Sequence, residues 1–192
     1  ITLLVETEID GEPLDRRHLL GTCFLLLLAG IDTTWSAIGS SLWHLATHPE
    51  DQARLRAEPD LIDSAVEELL RVYSPVTMAR EVIADVEVAG CPMKPGDKVL
   101  MSFPAANRDP AHFEKPDEFI IDRERNRHVA FGSGIHRCLG SNLARMELRV
   151  AIQEWLTRIP TFELADPAAV TWTGGQVRGP RTIPVRWSAT QP

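Results

Sequence analysis

The chain has 192 residues, of which 44% are hydrophobic and 24% are charged, so it suits one globular domain or a large piece of one. Its net charge of −7 excludes a sequence-wide basic field that would attract nucleic acid or an anionic membrane, which favours small molecules and proteins as partners. Its three cysteines, Cys23, Cys91 and Cys138, lie far apart, so we expect no disulfide framework and a cytoplasmic location.

A long helix is predicted first along the chain. Asp15 can cap it, and no proline follows until Pro49, which allows about 33 residues of helix, about 50 Å long. Its apolar run, residues 19–31, is shorter than the roughly 18–20 residues that span a membrane, and Asp32 follows at once. We therefore expect a helix in the core of the protein and no membrane span.

The middle of the chain changes from helices to strands. Residues 49–57 and 60–73 are predicted as two shorter helices, because prolines bracket both of them. Residues 80–103 form short β-rich runs separated by turn residues, which predicts a small antiparallel sheet. Residues 104–137 have no sustained period but carry several large apolar side chains, so we expect an irregular, packed connection.

The chain becomes helical again after Cys138 and stays so until Pro160. Apolar residues lie on two stripes of this segment, which predicts a helix buried over most of its surface. The tail, residues 161–192, alternates short β-like runs with glycine pairs and is predicted to add another small sheet element. The first stripe is Leu139, Leu143, Met146 and Val150, and the second is Leu148, Ile152, Trp155 and Ile159.

The segment AGIDTT, residues 29–34, interrupts the apolar part of the long helix with polar residues. A glycine inside a helix costs about 1 kcal/mol relative to alanine, and a buried unsatisfied polar group costs about 1–3 kcal/mol. The hydroxyls of Thr33 and Thr34 can each bond the carbonyl four residues back, at Ala29 and Gly30, and bend the helix. The segment alone therefore indicates either a kink or a functional site.

Glu68 and Arg71 lie three residues apart on one helical face, where a carboxylate and a guanidinium can pair. This spacing is common in helices. On its own it is typical of a surface ion pair.

The stretch FGSGIHRCLG, residues 131–140, places Cys138 between a glycine-rich loop and the start of a helix. Its glycines allow close approach to a flat ligand, and the amide groups of a helix N-terminus favour a thiolate. The alternative is an inert core cysteine, the usual outcome for a lone Cys. Zinc-like spacing is absent, because His136 is only two residues away and no CxxC occurs, so the favoured metal is one that needs a single protein thiolate.

These three motifs, in this order, resemble the C-terminal half of a bacterial cytochrome P-450, a haem-thiolate monooxygenase. Phe131, Gly134, Cys138 and Gly140 fit the F-x-x-G-x-x-x-C-x-G cysteine loop of that family, AGIDTT fits its oxygen-activation motif, and Glu68 with Arg71 fits its E-x-x-R pair. The resemblance covers essentially the whole chain and implies a mainly α fold with small antiparallel sheets. It also implies that residues 1–192 are one portion of a single haem domain whose N-terminal half lies elsewhere.

The resemblance implies a role for each matching residue. Cys138 would be the axial ligand of the iron of haem b, with the amides of Leu139 and Gly140 stabilising the thiolate. Asp32 and Thr33 would relay protons to O2, for which Ala29 and Gly30 leave space, and Glu68, Arg71 and Arg123 would form a buried structural triad. The further residues expected at the haem are Thr34, Arg80, Phe131, Gly132, His136 and Ala144, and those expected at the substrate are Val76, Thr77, Met78 and Val177.

The implied activity is insertion of one oxygen atom from O2 into a hydrophobic small molecule, with electrons from NAD(P)H through a redox partner. The TTW and GGQVRGPR stretches also resemble members fused to a reductase with FMN and a 2Fe-2S cluster. Arg137, Arg145 and Arg149 are either a docking surface for an acidic electron donor or solvated helix charges. Two alternatives to the monooxygenase are a haem-thiolate peroxygenase, which would not need Asp32 and Thr33, and a haem-binding protein without turnover.

Overall fold

The computed structural model describes residues 2–188, and residues 1 and 189–192, the last four of the predicted tail, lie outside the described part. The helices are α1 (Thr2–Val5), α2 (Arg16–Thr47), α3 (Pro49–Ala57), α4 (Ile62–Val72), α5 (Phe103–Ala106) and α6 (Ser141–Arg158), with 3-10 turns at Pro59–Leu61, Gly134–His136 and Pro167–Ala169. The strands are β1 (Glu8–Ile9), β2 (Glu12–Pro13), β3 (Thr77–Glu81), β4 (Val86–Val88), β5 (Cys91–Met93), β6 (Lys98–Ser102), β7 (Phe162–Leu164), β8 (Thr171–Thr173), β9 (Gly179–Thr182) and β10 (Val185–Trp187).

The described strands pair in antiparallel sheets of two: β1 with β2, β3 with β6, β4 with β5, β7 with β10, and β8 with β9. The sheets β3–β6 and β4–β5 lie within residues 77–102, and the sheets β7–β10 and β8–β9 lie in the tail. The predicted architecture, mainly α with small antiparallel sheets, is confirmed.

Helix α2 forms where its capping residue and the next proline predict it. The Asp15 carboxylate accepts a hydrogen bond of 2.9 Å from the amide of His18. The 32 residues of α2 make it about 48 Å long. Pro49 then begins α3, because proline is tolerated in the first turn of a helix but not in its interior.

The first half of α2 is exposed, so the prediction that this part lies in the core was wrong. Its buried residues begin at Ser36, where the tail hairpin and the helices α4 and α6 cover it. By length and composition α2 could cross a membrane, with 6% of its most apolar window buried, and one such helix is weak evidence for a span. The exposed apolar side chains are those of Leu20, Phe24, Leu25, Leu26, Leu27, Leu28, Ile31 and Trp35.

The core lies between the second half of α2 and helices α3, α4 and α6. Leu45, Leu55, Leu69, Leu148 and Ile152, one or two from each helix, are each at most 2% exposed and belong to one cluster. Burying a side chain of this size contributes about 1.5–3 kcal/mol, so the helix contacts supply most of the apolar stabilisation.

Helix α6 buries one of its two predicted apolar stripes. Leu148 and Ile152 face the core, whereas Leu143, Met146 and Val150 are 54%, 49% and 46% exposed. The prediction of a helix buried over most of its surface was therefore wrong. Helices α2 and α4 cover α6 on one face, which leaves its other apolar stripe towards solvent.

The segment 104–137 is irregular and packed, as predicted. Beyond the short helix α5 it has no helix or strand until the turn Gly134–His136, all within the described chain. Phe113, Ile121 and Ala130 are nevertheless 5%, 2% and 7% exposed. Buried apolar side chains of this kind exclude a disordered linker.

The hairpin of β8 and β9 lies directly on α2. A Cβ atom added to Gly179 would lie 2.4 Å from the Cβ of Ser36, and one added to Gly39 would lie 3.1 Å from the Cγ of Pro180. Both distances are shorter than ordinary van der Waals contact. Glycine at these two positions therefore allows the tail to approach the helix.

Replacement of Gly179 by alanine should lower the free energy of unfolding by about 1–3 kcal/mol, because the new methyl group overlaps Ser36. The measurement is urea denaturation followed by far-UV circular dichroism. Gly174→Ala in the same hairpin is the control, since a Cβ there meets no atom within 4 Å, and its effect should stay within about 0.5 kcal/mol. Equal stability of the two variants would contradict the close packing.

Candidate active site

The cysteine loop, residues 131–140, is shaped by two glycines and its own backbone. Gly132 and Gly134 have φ angles of 68° and 70°, a region that residues with a side chain rarely enter. The amide of Cys138 donates to the carbonyl of Phe131 at 2.9 Å, which closes the loop. The position of the cysteine is therefore set by main-chain hydrogen bonds.

The thiol of Cys138 is free and exposed, just before α6 begins at Ser141. Ile135 and Leu139, which lie three residues before it and one after it in sequence, are 96% and 88% exposed, so the cysteine loop presents apolar side chains to solvent. Within residues 2–188 no three His, Cys, Asp or Glu side chains gather as a metal-ligand set. A metal at this position would take one ligand from the described chain.

Glu68, Arg71 and Arg123 contact one another in the interior. The Arg71 guanidinium donates to both Glu68 oxygens at 2.8 Å, and both side chains are 0% exposed. Arg123 Nε donates to the same oxygens at 3.0 and 3.1 Å, and its side chain is 7% exposed. The expected triad geometry is present, and the alternative of a surface ion pair is excluded.

The triad ties α4 to the irregular connection. Arg71 also donates to the carbonyls of Asn107, Pro116 and Glu118 at 2.7–2.9 Å. Burial raises the pKa of Glu68, but hydrogen bonds from Arg71, the Ile120 amide and Arg123 outweigh burial and leave that pKa below its ordinary value. The carboxylate is therefore ionised, and each of its oxygens is hydrogen-bonded.

Asp32 and Thr33 lie on α2 where its exposed and buried halves meet. The Thr33 hydroxyl donates to the Ala29 carbonyl at 2.6 Å, as predicted, whereas Thr34 makes no such bond and α2 continues without a break. The Asp32 carboxylate accepts hydrogen bonds from Arg181 of β9 at 2.7 and 3.4 Å. The tail hairpin thus holds the acidic residue of the predicted acid–alcohol pair.

The other predicted residues fall into three places. Val76 and Val177 pair in an isolated antiparallel bridge, and the Thr77 amide donates to the Gln176 carbonyl at 2.9 Å, so three of the four expected substrate residues lie together. On α2, Ala29 and Gly30 are exposed and Thr34 is half-buried. Met78 and Arg80 lie on β3, His136 is exposed in the cysteine loop, and Ala144 is half-buried on α6.

Two features were missed from sequence. Arg181 reaches Asp32 from 149 residues away. Arg145, interpreted from sequence as either part of a donor-docking surface or a solvated helix charge, pairs with Glu67 through two hydrogen bonds and lies over the ring of Phe131. Neither pair has a local sequence signal, because both depend on how distant elements pack.

Replacement of Glu68 by glutamine should lower the free energy of unfolding by about 3–5 kcal/mol, because the change leaves two buried guanidinium groups without a counter-charge. The measurement is guanidinium chloride denaturation near neutral pH. Glu154→Gln, which removes an exposed pair with Arg158 on α6, is the control, and it should cost about 0.5 kcal/mol or less.

The contribution of Glu68 to the free energy of unfolding should depend on pH in a defined direction. Because folding lowers the pKa of Glu68, its stabilisation is complete above the unfolded value, about 4.3, and is lost as the pH falls towards the folded value. The difference between wild type and Glu68→Gln should therefore be constant above about pH 5 and shrink below about pH 4. A difference that grew on acidification would contradict this assignment.

Comparison with known proteins agrees with these motifs. Residues 1–167 match the family model described as cytochrome P-450. The probable cytochrome P-450 127A1 of Sinorhizobium fredii is 40% identical over 188 residues, which are 98% of this chain and 45% of that protein. Cytochrome P-450 105C1 of a Streptomyces species is 46% identical over 184 residues, which are 93% of this chain and 48% of that protein.

A solved structure shows the same fold. The bacillaene polyketide synthase cytochrome P-450 of Bacillus subtilis 168 aligns with a TM-score of 0.90 at 41% identity, over 95% of this chain and 48% of that chain. The chain spans about half the length of the curated relatives it matches. Motifs, fold and sequence identity agree, and the chain belongs to the cytochrome P-450 family.

Proposed function

We propose that this chain is the C-terminal portion of a haem-thiolate monooxygenase that inserts one oxygen atom from O2 into a hydrophobic small organic molecule. Family membership supports the proposal. The observation that carries it is the free, exposed thiol of Cys138 at the end of a glycine-bounded loop. Electrons would come from NAD(P)H through an electron-donor protein or a fused reductase with FMN and a 2Fe-2S cluster.

The cysteine loop fits a flat apolar group that carries a metal. Ile135 and Leu139, close to Cys138 in sequence, present exposed apolar side chains from the same loop. A Cβ atom on Gly140 would lie 3.9 Å from the sulfur of Cys138, an ordinary van der Waals contact, so glycine leaves that side of the sulfur uncovered. Family membership implies haem b as the group that carries the metal, and its porphyrin nitrogens would supply the ligands beyond the Cys138 thiolate.

Several residues are proposed to hold the haem. When bound, the haem would supply the redox chemistry that activates O2, with the Cys138 thiolate donating electron density. Arg80 and His136 are exposed and suited to the haem propionates, because charge-assisted hydrogen bonds to carboxylates are strong. The other residues proposed to contact the haem or O2 are Ala29, Gly30, Thr34, Phe131, Gly132, Leu139, Gly140 and Ala144.

Asp32 and Thr33 are proposed to deliver protons. Arg181 holds one oxygen of Asp32 closely, at 2.7 Å, and the other more loosely, at 3.4 Å. The Asp32 side chain is 37% exposed, so solvent can reach it. The Thr33 hydroxyl, now bonded to the Ala29 carbonyl, would pass the proton on by rotating about its Cα–Cβ bond.

The proposed substrate residues are Val76, Thr77, Met78 and Val177, which are all half-buried. We propose that the exposed apolar face of α2 packs against the other half of the same fold, because contiguous apolar surface of this kind marks an interface and the matching relatives are about twice as long. We also propose a cytoplasmic location, because the three cysteines lie far apart, and no nucleic-acid or membrane partner, because the net charge is −7.

Substitution of Cys138 by serine should abolish the strongly red-shifted Soret band of the reduced, carbon-monoxide-bound protein, since that band reports thiolate ligation of the iron. The measurement is a difference spectrum of the full-length protein. Cys91→Ser, which removes another exposed free thiol, is the control and should leave the band unchanged. Retention of the band in Cys138→Ser would refute Cys138 as the ligand.

Substitution of Thr33 by alanine should separate NAD(P)H consumption from product formation. Without the hydroxyl, proton delivery becomes less specific, and we expect product per NAD(P)H to fall by roughly tenfold or more. Thr47→Ala is the control, because this threonine makes the same type of bond, to the Trp43 carbonyl at 2.9 Å, near the other end of α2. Unchanged coupling in Thr33→Ala would contradict the proposed role of Thr33 in proton delivery.

A further inference from the structure

Arg145 of α6 is bound on two sides. Its guanidinium donates to the two Glu67 oxygens at 2.5 and 3.0 Å, and its central carbon lies 4.6 Å from the centre of the Phe131 ring. A two-pronged pair with a carboxylate fixes the plane of the guanidinium, and a cation over an aromatic face adds attraction. Phe131 is the first residue of the cysteine loop, so this contact reaches the loop directly.

His128 completes the arrangement from the chain just before the loop. Its Nδ1 accepts a hydrogen bond from the Ala130 amide at 3.2 Å, so the ring proton lies on Nε2, which donates to Glu67 at 3.0 Å. The His128 side chain is 2% exposed, and its ring centre lies 6.1 Å from that of Phe131. The Phe131 ring therefore lies against both His128 and Arg145.

The neighbouring carboxylates Glu67 and Glu68 of α4 bind different parts of the chain. Glu68 binds Arg71 and Arg123 at the irregular connection, whereas Glu67 binds Arg145 and His128 beside the cysteine loop. Burial raises the pKa of Glu67, but the hydrogen bonds from His128 and Arg145 outweigh burial and lower that pKa to about 2. Glu67 is therefore a permanent anion near neutral pH.

We propose that Glu67, His128 and Arg145 form a clamp on Phe131, the α4 clamp, that positions the cysteine loop and holds Cys138 in place as the iron ligand. The clamp reaches Cys138 through one hydrogen bond, because the amide of Cys138 donates to the carbonyl of Phe131 at 2.9 Å. Arg145 is then a positioning residue and is not a free charge for an electron donor. This inference rests on the proposed haem-thiolate function, which names the ligand that the loop carries.

The test compares arginines one turn apart on α6 in the full-length haem protein. Arg145→Gln removes charge and geometry, Arg145→Lys keeps the charge but not the planar fork, and Glu67→Gln keeps the fork but removes its anion. Arg149→Gln is the matched control, because Arg149 lies 3.7 Å from the largely exposed Asp63. The first readout is the rate at which the red-shifted Soret band of the reduced, carbon-monoxide-bound protein is lost in moderate urea. The second is the reduction potential of the iron.

The clamp predicts roughly tenfold faster loss of the band in Arg145→Gln, with Arg145→Lys and Glu67→Gln also faster than wild type and Arg149→Gln unchanged. Arg145→Gln should also shift the reduction potential to a lower value, because a cation near the thiolate is lost, whereas Arg145→Lys should not. Far-UV circular dichroism checks that the variants fold. If Arg145→Gln fails to fold, Glu67→Gln decides, since the amide keeps the shape of the carboxylate.

Equal rates for Arg145→Gln and Arg149→Gln would overturn the clamp. A rise in the donor concentration needed for half-maximal reduction in both variants, with unchanged band stability, would also overturn it and would identify a donor-docking surface. Absence of the red-shifted band in wild type would instead refute the haem-thiolate function itself. The two failures are therefore distinguishable.

Discussion

The rest of this structure depends on the buried ion pairs that the Glu68 carboxylate forms with Arg71 and Arg123. An isolated carboxylate costs several kcal/mol to remove from water, and the charges of Arg71 and Arg123 offset that cost. The two arginines spend their other donors on the backbone of residues 107–118. These hydrogen bonds fix the backbone of the irregular connection relative to helix α4, and the connection leads into the cysteine loop.

Helix α4 is the common reference for the residues at both ends of the candidate site. Its apolar face packs with α2 and α6 in one core cluster, and its polar face holds the segments that precede Cys138. Asp32 and Thr33 lie on α2, just before the part of that helix that the core buries. The positions of the acid–alcohol pair and of the cysteine therefore depend on the same helix packing.

Much of the fold could be predicted from sequence, because its signals are local. Asp15 and Pro49 act within one turn of the helix ends they define, and the antiparallel pairs follow from turn residues between short β-rich runs. The cysteine loop was recognisable for the same reason, since its glycines and Cys138 lie within ten residues. The buried triad was expected only through the family resemblance, because Arg123 is 55 residues from Glu68.

Burial and long-range partners could not be read in the same way. The apolar side chains of residues 19–31 predict burial only if another surface covers them, and the described chain supplies none for that half of α2. Arg145 finds Glu67 from 78 residues away, a distance at which an arginine on a helix looks like any solvated charge. Such pairs follow from tertiary packing, which residue spacing alone does not determine.

The arginines of the triad recognise the connection through carbonyl oxygens, and this has a consequence for divergence within the family. Every amino acid carries the same carbonyl group, so the bonds from Arg71 to residues 116 and 118 place no demand on the side chains there. Asn107 differs, because its buried side chain also donates to Ser74 and accepts from the Val129 amide. The side chains at positions 116 and 118 can therefore be substituted without loss of the bonds from Arg71. Substitutions on the exposed side of the connection therefore need not displace the thiol of Cys138.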